Sequence, residues 1–146
     1  MLSWSKKILL YNILLSIIIR KFDFVKKYIM SSKNFSGSTD LPDLTFLREM
    51  LGDDQDSLKE IITIFLQDGP PMIKSLEESV RLRDFDMIKR TSHTLITELS
   101  TVGITSVVPD LKRMNKTAKE MNDLDEVMEH IKDVVDRSVQ FFKSMD

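Results

Sequence analysis

From Leu44 to Phe142 the apolar residues recur at steps of three and four, and this period constrains the fold more than any other feature. Leu44, Leu47 and Leu51 form a first short stripe that stops at Gly52. Asp53 or Asp54 can cap a second helix, whose inward face is Leu58, Ile61, Ile62 and Phe65. Gly69-Pro70-Pro71 interrupts it, because each proline removes a donor and crowds the preceding turn. Ile73, Leu76 and Val80 nevertheless continue the stripe in nearly the same phase. The expectation is a kink or short break, with both pieces on one core.

Asp84 is a plausible cap for a third segment that runs to Gly103, a residue able to close a helix or admit a close neighbour. Its apolar stripe is Ile88, Leu95, Leu99 and Val102. At about 100° per residue, His93 lies about 200° from Leu95 and about 180° from Val102. The stripe therefore predicts an imidazole on the side away from the core. A fourth segment places Val107, Leu111, Met114, Ala118 and Met121 on one face, with Pro109 near its regular start. Asn122-Asp123 reads as a turn and cap. The last segment buries Leu124, Met128, Ile131, Val135 and Phe142. The resulting expectation is an all-α domain: an antiparallel four-helix bundle with a short extra N-terminal helix, over residues 41–146.

Composition narrows the chemistry. The 146 residues suit one domain. With no cysteine there is no disulfide framework and no thiolate metal site. With two histidines, His93 and His130, no histidine-built metal site is expected. Asp53, Asp54 and Asp56 lack the glycine and terminal glutamate of a calcium loop and read as helix capping. His130 has no comparable neighbourhood and reads as a surface residue.

Residues 1–40 stand apart as a leader outside the bundle. Their apolar stretch, residues 8–19, is flanked by Lys6, Lys7, Arg20 and Lys21, and residues 31–39 form a polar linker. Twelve helical residues span about 18 Å against a hydrocarbon core of about 30 Å, so a spanning helix is disfavoured. No small-residue cleavage pattern follows the apolar run. Translation starting at Met30, or a membrane-associated anchor, are the other readings. Residues 1–30 hold six cations against one acid, a net of +5, so the rest carries −7 to give the chain's −2. That acidic remainder has no basic stripe suited to nucleic acid.

The helix order and the spacing of His93, Leu95 and Gly103 resemble the histidine phosphotransfer (HPt) family over about residues 41–146. In that family the histidine helix reads His-x-Leu-Lys-Gly, with a further glycine ten residues after the histidine. Val107 takes the later aliphatic position, and Gly52-Asp53-Asp54 with Leu58 and Phe65 resembles the lead-in. The chain departs where the family has its lysine and glycine, with Ile96 and Thr97 instead. Lys89 and Arg90, one turn before His93, could supply the positive charge, and the Thr97 hydroxyl one hydrogen bond. The resemblance implies a cytoplasmic phosphoryl carrier, not an enzyme with its own ATP site. His93 would accept from one receiver-domain aspartate and donate to another. No Gly-x-x-x-x-Gly-Lys loop is present. The implied partners are response-regulator receiver domains and a hybrid sensor histidine kinase. No cofactor is expected on this chain, the Mg²⁺ residing on the receiver. Ser92, Ile96 and Ser100 are expected on the docking surface. The alternative is an HPt-like module that docks a receiver or kinase without accepting phosphate.

Overall fold

The computed structural model describes residues 41–145, and the expectations for the leader lie outside these residues. The described chain is all-helical: α1 (Thr45–Leu51), α2 (Gln55–Arg81), α3 (Phe85–Thr101), α4 (Val108–Thr117) and α5 (Leu124–Ser144), with a 3₁₀ turn at Ala118–Glu120 between the last two. Among the described residues there is no strand.

Local signals set most of the boundaries. Asp54 accepts from the Ser57 amide at 3.0 Å and from its hydroxyl at 2.6 Å, capping α2. Asp84 accepts from the Met87 amide at 3.0 Å and caps α3. Gly52, at φ +62°, ends α1. Pro109 lies in the first turn of α4, where a missing N–H costs nothing.

Of the kink or short break expected at Gly69-Pro70-Pro71, the break is corrected: α2 is one uninterrupted helix of 27 residues with both prolines inside it, and both pieces pack on one core as expected. Two prolines remove the backbone bonds to the Leu66 and Gln67 carbonyls. Packing on either side outweighs that loss. Leu58, Ile61, Ile62 and Phe65 before the prolines, and Ile73, Leu76 and Val80 after them, are all buried on one face. Each such side chain contributes about 1.5–3 kcal/mol on burial. Gly69 is also a packing site. A Cβ there would stand 2.7 Å from Phe65 Cε2, so the missing side chain is what lets the ring lie along the helix. That ring meets Phe142 of α5 edge-on, with centroids 5.7 Å apart.

The helices contact one another in a closed circuit: α2 touches α3 and α5, α3 touches α4, and α4 touches α5. Leu76, Ile88, Leu95, Leu99, Val107, Leu111, Ile131 and Val134 are wholly removed from solvent between them. Leu95, Leu99 and Val102 are buried while His93 is exposed, as the stripe requires.

The start of the described chain is tied to the end of α3. The Asp43 amide donates to the Gly103 carbonyl at 2.9 Å. Asp43 then caps the turn beyond, accepting from the Thr45 amide at 2.9 Å. Gly103 has φ +78°, and a Cβ there would fall 1.8 Å from the Asp43 carbonyl oxygen. Both the left-handed backbone and the close approach require glycine. Gly103→Ala is therefore expected to lower stability by more than the ~1–2 kcal/mol of left-handed strain alone. A denaturant titration would read this, and an unchanged midpoint would show that residues 41–51 dock independently of this contact.

Candidate functional site

The candidate site lies on the outward face of α3. This helix is held on both sides, by α2 and by α4, and its buried residues Ile88, Thr91, Ser92, Leu95 and Leu99 fix its rotation. His93 and Thr94 are exposed, and Ile96, Thr97 and Ser100 are half-buried on either side of that outward line. Lys89 and Arg90 are both exposed, one turn before the imidazole. No hydrogen bond or ion pair ties the His93 ring among the described residues. An imidazole so placed can bring a ring nitrogen to an incoming electrophile without breaking a contact first.

One expected docking residue is misplaced. Ser92 is 0 % exposed and belongs to the helix interface, not to the docking surface. Its hydroxyl bonds back to the Lys89 carbonyl at 3.2 Å, which lets a polar side chain sit in the interior. At about −100° from His93 on the helical wheel it lies on the same side as Lys89, whose carbonyl also accepts from Asn115 of α4. Ser100 is only part of an accessible face, because its hydroxyl oxygen is enclosed and has no hydrogen-bond partner. The remaining sequence-derived residues, Lys89, Arg90, His93, Ile96 and Thr97, share one accessible face. Leu95 and Gly103 take structural roles behind it.

Two contributors come from neighbouring helices. Asn115 of α4 donates through Nδ2 to the Lys89 carbonyl at 2.8 Å, joining α4 to the turn that precedes His93. On the opposite flank, burial pushes the Glu98 carboxyl above its ordinary range, and the charge of Asp68 on α2 adds to that shift. Asn115 and Asp68 are 22 and 25 positions from His93 in the sequence, so neither could be placed beside α3 without the helix packing. Glu98 carries no sequence signal that sets it apart from the other polar residues of α3.

His130 lies elsewhere, on α5, with Nε2 4.0 Å from an Asp110 carboxylate oxygen. Asp54 of the acidic cluster serves as a cap, and the Ser57 hydroxyl and amide hold its carboxyl below the usual range. Among the described residues no group of three or more histidine, cysteine, aspartate or glutamate side chains could hold a metal ion. No described helix is long and apolar enough to cross a membrane.

Compared with models of protein families, with curated proteins and with solved structures, the chain gives no match.

The raised Glu98 carboxyl has a consequence for stability. The folded state binds that proton more tightly than the unfolded chain does. Its contribution is most favourable below the ordinary value of 4.5 and is lost as pH rises through that value to the folded one. Glu98→Gln removes the titration. It is expected to raise the melting temperature at neutral pH and to leave it unchanged near about pH 3, where the native carboxyl is already protonated. Melting curves at both pH values test this; an equal shift at both would assign the effect to packing.

Proposed function

We propose that this protein is a histidine phosphotransfer protein of a cytoplasmic two-component phosphorelay, built as an antiparallel four-helix bundle. In this reading α2 to α5 are the four helices and α1 is the short extra one. The observation that carries the reading is the placement of His93: exposed in the middle of a helix whose opposite face is fully buried, with two cations one turn away. The spacing of Leu95 and Gly103 from His93 supports it.

The chemistry asked of the chain is small. A lone pair on a His93 ring nitrogen forms an N–P bond, the P–O bond of the receiver's aspartyl phosphate breaks, and the aspartate leaves as carboxylate. The second transfer reverses these roles on another receiver. Phosphoryl transfer depends mostly on position and on balancing charge. α3 supplies the position, since its stripe leaves the imidazole one orientation relative to the bundle. Lys89 and Arg90 supply positive charge at the edge of the site, and the Thr97 hydroxyl a donor. The receiver brings the Mg²⁺, and a hybrid sensor kinase loads the first receiver.

A second reading rests on Ile96 and Thr97. An apolar side chain and a bulkier one stand where the HPt family has lysine and glycine, which suits a module that docks a receiver without accepting phosphate.

His93→Gln separates the two. It keeps a polar side chain at an exposed position, so stability should change by no more than about 0.5 kcal/mol. In the relay reading, acid-labile labelling from a phosphorylated receiver disappears in this variant while receiver binding persists. An unaltered chain that binds its receiver and never acquires label would establish the docking module instead. Ile96→Glu sets a carboxylate against the acidic receiver pocket and should weaken association by about 1 kcal/mol in a titration; unchanged affinity would place the interface elsewhere.

A further inference from the structure

The link between α3 and α4 has a register that brings a cation from a second helix to the level of His93. The chain between Thr101 and Val108 is short, so α4 runs back along α3. The Asn115 side chain reaches the Lys89 carbonyl at 2.8 Å and fixes that register. Moving from Asn115 to Lys112 advances about 4.5 Å along α4, while moving from Lys89 to His93 advances about 6 Å along α3 in the same direction. Lys112 and Asn115, three residues apart, share one stripe of α4, just as Lys89 and His93 share one stripe of α3. Lys112 is exposed, as is Lys116, the next cation along α4.

The acids nearby do not neutralise this strip. Asp110 lies against His130 of α5, and Asp123 is taken up by Arg113 at 2.6 Å. Asp68 and Glu98 lie on the other flank of α3, toward α2. The nearest acid on the His93 stripe is Asp86, seven residues and about 10 Å back.

We propose that Lys112 of α4, held at the level of His93 by the Asn115–Lys89 bond, is a cation that balances the charge of a phosphoryl group on His93. The role rests on the relay reading of His93 but concerns the site alone, so it can be examined without a receiver. The probe is phosphoramidate. A His93 ring nitrogen lone pair forms the N–P bond, the P–N bond of phosphoramidate breaks, and ammonia leaves; the ring N–H proton then passes to water. His130, exposed and beside an acid, is an internal comparison in the same molecule.

Labelling would be followed separately at the two histidines by mass spectrometry at alkaline pH, with helix content checked by circular dichroism. His93 is expected to react faster than His130. Lys112→Gln should slow His93 by about two- to five-fold, the range of one exposed charge interaction. It should leave His130 unchanged. Lys112→Arg should restore the rate, Lys116→Gln should have a smaller effect, and added salt should erase the difference. Equal rates at the two histidines in the unaltered protein, or an unchanged His93 rate in Lys112→Gln, overturn the proposal. The relay is judged separately. If a receiver labels His93 while Lys112→Gln changes neither reaction, the relay stands and the Lys112 role falls. A Lys112-dependent phosphoramidate rate with no receiver ever labelling His93 supports the Lys112 role and overturns the relay.

Discussion

Burial of the α3 stripe is the constraint from which the rest follows. Ile88, Leu95 and Leu99 are 0 % exposed, and helices α2 and α4 enclose them from both sides. Rotating α3 by one residue, about 100°, would pull these side chains into water and drive polar ones inward. Each apolar side chain exposed would cost about 1.5–3 kcal/mol, before any penalty for the polar groups buried in exchange. His93 is thus exposed because its helix has nowhere else to turn. No contact made by the imidazole itself is needed to hold it there.

The same packing explains how polar residues are tolerated behind the site. Ser92 and Ser138 are both 0 % exposed, and each hydroxyl is satisfied within its own helix, by the carbonyls of Lys89 and Val134. Small hydroxyl side chains let neighbouring helices approach closely while leaving no donor unpaired. Ser100 is the contrast, an enclosed hydroxyl without a partner. An unpaired buried hydroxyl costs about 1–3 kcal/mol. It stands two turns beyond His93.

Much of this architecture is legible in the sequence because it depends on periodicity and caps, both of which are local. The phase of His93 against Leu95 and Leu99, the caps at Asp54 and Asp84, and the helix-closing role of Gly103 can all be reasoned from neighbours a few residues away, whereas the close approach of Asp43 to Gly103 cannot. What is not legible depends on tertiary packing. The prolines at 70 and 71 signal a break by local chemistry, but α2 continues because Phe65 and Ile73 face the same core on either side of Gly69. Ser92 looks like surface by its polarity, yet it is wholly buried. Asn115 and Lys112 have no local feature that assigns them to the His93 face. Their placement follows from one side-chain bond to a backbone carbonyl on another helix.

That bond also gives the site an electrical direction. On the α4 flank stand Lys89, Lys112 and Lys116, and on the α2 flank Arg90 stands with Asp68 and half-buried Glu98. An acidic partner surface is therefore attracted more strongly on the α4 flank than on the α2 flank. A partner whose acidic pole is offset from its centre favours one orientation. Screening over about 8–10 Å at moderate ionic strength leaves such a contrast effective only at close approach. It therefore acts on the final alignment of the two molecules more than on their first encounter. In the proposed relay, donor oxygen, phosphorus and imidazole nitrogen would have to fall in line, and that final alignment is where an orienting field contributes most.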